Sequence, residues 1–146
     1  MKALRIVALS GAVLVLVFGI VAYLGVTGFE GWMCGATVVR RVPSPDGRLE
    51  AVLYERSCGA TTDFGTSLSV IRAGGKVRNH VGNLLVADSD HGLAPLDSGN
   101  VIRLSLQWIG SHSLVVRYDR RARVFQQHPN ANGVSVRYIP VDERGA

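Results

Sequence analysis

Proline and cysteine are scarce in this chain of 146 residues, with five and two copies, while aromatic side chains make up 7% and charged ones 18%. So little proline and charge, against 47% hydrophobic residues, excludes a disordered tail. The length admits one modest domain and excludes two enzyme domains or a complete propeller. Catalytic signatures are missing as well. There is no G-x-S-x-G, H-E-x-x-H, G-x-x-x-x-G-K-[ST] or G-x-G-x-x-G, and no C-x-x-C, which removes the nucleophile elbow, the zincin helix, the phosphate loop and the dinucleotide fingerprint. No cofactor or metal is expected, and a binding role is favoured over an enzymatic one.

What the chain has is one long apolar block. From Ile6 to Phe29 run 24 residues without a charge, about 36 Å if helical against a hydrocarbon core of about 30 Å. A cleaved signal peptide would have an apolar core of about 7 to 15 residues ending at small side chains, whereas Gly31-Trp32-Met33 precede Cys34 here. Residues 6–29 are therefore expected to be a transmembrane anchor, with a signal peptide as the alternative. Lys2 and Arg5 crowd the leading end and Glu30 is the first charge beyond the run, so residues 1–5 are expected in the cytoplasm and residues 30–146 outside it, in a single-pass protein of the cell membrane. Tyr23, Phe29 and Trp32 stand where amphipathic rings favour an interface.

Cys34 and Cys58 both fall on the exported side, where an even count predicts a disulfide. Closing a 25-residue loop stabilises a fold by roughly 3.5 kcal/mol in the chain-entropy model.

The exported part shows period two. In Val101 to Trp108, the apolar Ile102, Leu104, Leu106 and Trp108 alternate with Arg103, Ser105 and Gln107, the pattern of a half-buried strand. Leu114, Val116 and Tyr118 repeat it, as do Val134, Val136 and Tyr138. Further β-prone runs lie at Thr37 to Val42, Arg48 to Tyr54, Ser67 to Arg72, Gly82 to Ala87 and Arg123 to Gln126, separated by turns such as Pro43-Ser44-Pro45-Asp46-Gly47. The expected fold is all-β, a small antiparallel sandwich or open barrel of seven or eight strands, preceded by one N-terminal transmembrane helix. Keeping Trp108 and Leu114 on one face requires pairing 108 with 114, 106 with 116 and 104 with 118, which sets Arg103 across from Asp119.

That pairing bears on a basic strip of Arg103, Arg117 and Arg137, which cross-strand charge pairing would explain. Beyond Glu30 the chain has 14 Lys+Arg and 10 Asp+Glu. This balance suits an anionic lipid surface or an envelope polymer, while no run of cations interleaved with aromatics points to nucleic acid. The one local acidic cluster is Asp88-Ser89-Asp90-His91. It would serve a small exported hydrolase or metal-dependent enzyme in the alternative reading, and is otherwise a loop closed by its own Asx hydrogen bonds.

The stretch Ser44-Pro45-Asp46-Gly47, followed by Arg56-Ser57-Cys58-Gly59-Ala60-Thr61-Thr62 and Phe64-Gly65-Thr66, resembles a family of small bacterial membrane or exported proteins of uncharacterised function. In that family an S-P-D-G turn precedes R-x-C-G-A-T-T. Asp90-His91-Gly92, Trp108, and Tyr118-Asp119 followed by Ala122-Arg123-Val124-Phe125 extend the likeness over most of the exported part. The resemblance implies an envelope location and no activity. Physically, small residues after Cys58 allow a tight loop, yet Thr61, Thr62, Asp63 and Phe64 add hydroxyls, a charge and a ring. These four, with Asp90 and His91 as neighbours, are the candidate binding residues, for an envelope protein, a polymer or a lipid surface.

Overall fold

The computed structural model describes residues 13–23, 34–59, 65–77 and 80–142. The chain divides into two units, Met1–Met33 and Cys34–Ala146. In the first, residues 13–23 are helical, and Leu14, Phe18 and Tyr23 are exposed. No helix among the described residues is long and apolar enough to cross a membrane; the remaining residues of the 6–29 run lie outside the described ones.

The second unit is built of strands. They are β1 (Gly35–Pro43), β2 (Leu49–Ser57), β3 (Gly65–Arg72), β4 (Leu85–Asp88), β5 (Leu96–Asp97), β6 (Val101–Ile102), β7 (Leu104–Gly110), β8 (Ser113–Asp119), β9 (Arg123–Gln127), β10 (Asn130–Ala131) and β11 (Val134–Val141). A five-stranded sheet has the order β1-β2-β3-β4-β9, a four-stranded sheet the order β10-β11-β8-β7, and β5-β6 form a small ribbon. Every segment read as β-prone contributes a strand.

Alternation fixes the faces. In the β7-β8 hairpin, Leu104 pairs with Tyr118, Leu106 with Val116 and Trp108 with Leu114, as the amphipathic pattern requires. Leu53, Leu68, Val70 and Leu85 from the larger sheet share one buried core with Leu104, Leu114, Val116, Val134 and Val136 from the smaller one, and Val101 and Ile102 fill it from β6. Polar bonds tie the sheets at both flanks. Trp108 Nε1 donates to the Val42 carbonyl at 3.0 Å, and the Tyr138 hydroxyl lies 2.9 Å from the Leu84 carbonyl. The β1-β2 turn is closed by Ser44, whose hydroxyl donates to Asp46 Oδ1 at 2.7 Å and accepts the Leu49 N–H at 3.0 Å. Gly47 supplies the left-handed φ of 69°.

The expectation of a wholly antiparallel arrangement needs one correction, because β11 pairs with β8 in parallel. After β8 the chain crosses to the larger sheet as β9 and returns as β11, so the crossover that parallel neighbours require is itself a strand. The register sets Arg103 across from Asp119 as expected, and its charge acts on that carboxylate. Both Asp119 oxygens are taken by Arg121, two residues along in the following turn.

Candidate functional site

Register gathers the candidate segments at one end of the five-stranded sheet. Gly35 pairs with Ser57, Arg56 with Gly65, Thr66 with Ala87 and Asp88 with Arg123. The start of β1, the end of β2, the start of β3, the end of β4 and the start of β9 therefore lie together. Cys34 and Cys58 form a disulfide just outside the first of these pairs, with 3.9 Å between their Cα atoms, and the Arg56 guanidinium lies 3.2 Å from Cys34 Sγ. Thr61, Thr62, Asp63 and Phe64 fall outside the described residues. Their described flanks, Gly59 and Gly65, leave β2 and enter β3 at this end.

Beside them β4 ends at Asp88, and the chain turns through Asp90, His91 and Gly92 with φ of 48°, 57° and 88°. Three successive left-handed residues fold back sharply, a conformation that Asp tolerates and Gly takes without strain. The turn is held from within. The Asp90 N–H donates to Asp88 Oδ1 at 2.9 Å, and the Gly92 N–H to Ser89 Oγ at 3.0 Å. Asp88 and Asp90 thus form the Asx-closed loop rather than one face of a continued strand.

Asp88 is buried, and Arg123 grips it with two donors, Nε on Oδ1 at 3.1 Å and Nη2 on Oδ2. Burial pushes the Asp88 carboxyl up, but the hydrogen bonds from Arg123 and the Asp90 N–H, with the Arg123 charge, hold it below the usual carboxylate range. The same guanidinium comes within 3.7 Å of Asp90 Oδ1 and stacks 5.0 Å from the ring centroid of Phe125, which is exposed. Phe125 lies on β9 at the sheet edge, and its place in the Ala122-Arg123-Val124-Phe125 run did not show that it would join this cluster. His91 is exposed. Chemically the arrangement is an ion-paired brace under a tight loop, since the Asp88 carboxylate is occupied by its arginine. No group of three or more His, Cys, Asp or Glu that could hold a metal ion occurs among the described residues.

A second carboxylate brace stands at the β8-β9 turn. Asp119 is fully buried and accepts from Arg121 Nε at 2.9 Å, Nη2 at 2.7 Å and its backbone N–H at 2.9 Å. The Arg121 hydrogen bonds bring its pKa down to about 2, with a further contribution from the Arg103 charge. A carboxyl whose folded pKa lies below the ordinary 3.8 stabilises the fold fully above that value and loses its contribution as pH falls toward 2. Asp119→Asn is expected to cost about 1–3 kcal/mol at neutral pH. The gap between variant and wild type should narrow between about pH 4 and pH 2, as read by chemical denaturation at several pH values. A gap that does not change with pH would show that the charge of Asp119 does not matter.

Comparison with protein-family models, curated proteins and solved structures found no match for this chain.

Proposed function

We propose that the chain is a single-pass, membrane-anchored extracytoplasmic module, a two-sheet β sandwich that binds an envelope partner through the loops at the disulfide end of its larger sheet. The observation that carries this reading is the register Thr66 to Ala87 and Asp88 to Arg123. It brings the flanks of the 61–64 segment and the Asp90-His91 turn to one end of a rigid scaffold, the usual setting of binding loops. The 24-residue uncharged run of Ile6 to Phe29 and the cations before it support anchoring with the C-terminal unit outside the cytoplasm. A disulfide between Cys34 and Cys58 agrees with an oxidising compartment. The likeness to small bacterial envelope proteins around S-P-D-G and R-x-C-G-A-T-T points the same way.

Two measurements test the reading. A reporter that works only when exported, fused after Ala146, should be active, and activity of a cytoplasmic reporter there would refute the orientation. For the surface, Phe64→Ala and Asp90→Ala should leave the melting temperature nearly unchanged and abolish crosslinked capture of an envelope partner. Capture undiminished in both folded variants would remove this end of the sheet as the binding surface. A Phe64→Ala loss of roughly 3–5 kcal/mol would instead make Phe64 a core residue.

A further inference from the structure

The outer face of the four-stranded sheet carries two guanidiniums with no acid to meet them. Along β8 the side chains alternating with the buried Leu114 and Val116 are Ser113, Val115 and Arg117. The register sets Val115 beside Arg137 and Arg117 beside Ile139 on β11, and Gln107 of β7 across from Val115. Ile109, Ser113, Val115, Arg117, Arg137 and Ile139 border an open groove of 470 Å³ whose lining includes no carboxylate. Arg117 donates to the neutral Gln107 amide oxygen at 3.1 Å, and the Arg137 side chain makes no hydrogen bond or ion pair among the described residues. By contrast, Arg41, Arg120, Arg121 and Arg123 each meet a carboxylate. Asp119, two residues beyond Arg117, is fully buried and taken by Arg121. Ile109 at the end of β7 is 64% exposed.

We infer that this face rests on an anionic phospholipid surface, its guanidiniums on phosphate oxygens and Ile109 and Ile139 in the headgroup layer. The inference rests on the anchoring reading. Four residues separate Phe29 from Cys34, so anchoring by the apolar run would tether the exported part at the bilayer surface. At that effective concentration the attraction of a few arginines, too weak to recruit a free protein, is enough to seat the face. A sheet face offers an extended peptide no unpaired backbone, because strand hydrogen bonds lie in the sheet plane. A lipid surface needs none and presents phosphates at every spacing.

The test uses the full chain in nanodiscs, neutral or containing phosphatidylglycerol, each doped with a paramagnetic headgroup lipid. The methyl signals of Ile109 and Ile139 should broaden in the anionic discs and far less in the neutral ones, while Ile71 on β3 of the other sheet stays sharp. Arg117→Glu with Arg137→Glu should abolish the broadening and leave the Ile71 and Ile102 shifts in place. Should that pair unfold the domain, Arg137→Gln alone should reduce it. Equal broadening in both lipids, or broadening retained in the folded variants, would overturn the inference. So would sharp signals that shift instead on adding polyglutamate, which would assign the face to an acidic protein. Failure of the chain to enter neutral discs would defeat the anchoring reading by itself. The full chain is then held on nickel-chelating vesicles by an N-terminal histidine tag, where Ile109 and Ile139 broadening that needs anionic lipid and is lost in Arg137→Gln supports the face, and absence of broadening overturns it.

Discussion

Cys58→Ser should lower stability by about 2–5 kcal/mol, the usual cost of losing a native disulfide from a small domain. The bridge joins the residue before β1 to the residue after β2, a sequence separation of 24. Opening it restores to the unfolded chain the freedom of that whole segment, which the roughly 3.5 kcal/mol of the chain-entropy model describes. The folded state loses more than a crosslink. β1 is an edge strand that pairs only with β2, and its register shifts at a bulge between Val38 and Arg40. Past the bulge it is secured by Arg40 to the Leu104 carbonyl and by Trp108 to the Val42 carbonyl, whereas the disulfide pins its leading end. The variant should therefore fray first at residues 35–38, visible as faster amide hydrogen exchange there than at Arg41 and Val42. Thiol labelling of the unreduced, denatured wild type should find no free cysteine. Stoichiometric labelling of both, or a variant as stable as wild type, would contradict the role given to the bridge.

The parts of this architecture that could be read from sequence are those in which one residue's face decides its neighbour's. The β7-β8 register followed from requiring Trp108 and Leu114 on the same side, and one slip would have turned every apolar side chain of the hairpin to water. The β8-β11 pairing could not follow in the same way. Val134, Val136 and Tyr138 alternate as clearly as any strand, but alternation says which face is buried and not which strand lies alongside. Parallel pairing was reached only through an intervening strand in the other sheet. A second partner of Asp119 was missed for a related reason. Cross-strand logic placed Arg103 across from Asp119, where its charge acts on the carboxylate, but alternation gave no sign that a turn curls Arg121 back to grip both oxygens. At the candidate site, Asp88 and Asp90 were visible as a loop, whereas the arginine holding them sits 35 positions from Asp88, and neither alternation nor spacing ties the two together.

Gly82→Ala should be among the most damaging single substitutions in the domain, although the residue adds one methyl at a position with no sequence signature. A β-carbon there would lie 2.4 Å from the Leu85 carbonyl oxygen, 2.6 Å from that of Leu68 and 2.8 Å from the Leu68 nitrogen. All three are backbone atoms at the β3-β4 junction, where Leu68 pairs with Leu85 and its carbonyl also accepts the Leu84 N–H at 3.0 Å. No rotamer change can relieve such contacts, so the chain must move. What would move is β4, four residues long and paired on both sides, together with the fully buried Leu84 and Leu85. The bond from Gln126 Nε2 to the Gly82 carbonyl at 2.9 Å would go with it. Overpacking a core with flexible neighbours costs about 1–3 kcal/mol, and a clash with backbone belongs at or above the top of that range. Gly110→Ala is the control, because a β-carbon at that position in β7 meets nothing within 4 Å. Chemical denaturation should find Gly110→Ala within about 0.5 kcal/mol of wild type and Gly82→Ala lower by about 3 kcal/mol or more. Because β4 delivers Asp88 to the disulfide end of the sheet, the Gly82 variant should also loosen the Asp90-His91 turn, reported by faster exchange of the Asp90 and Gly92 amides. If Gly82→Ala is as stable as Gly110→Ala, the close approach of residue 82 to the β3-β4 backbone is not what holds β4 in place.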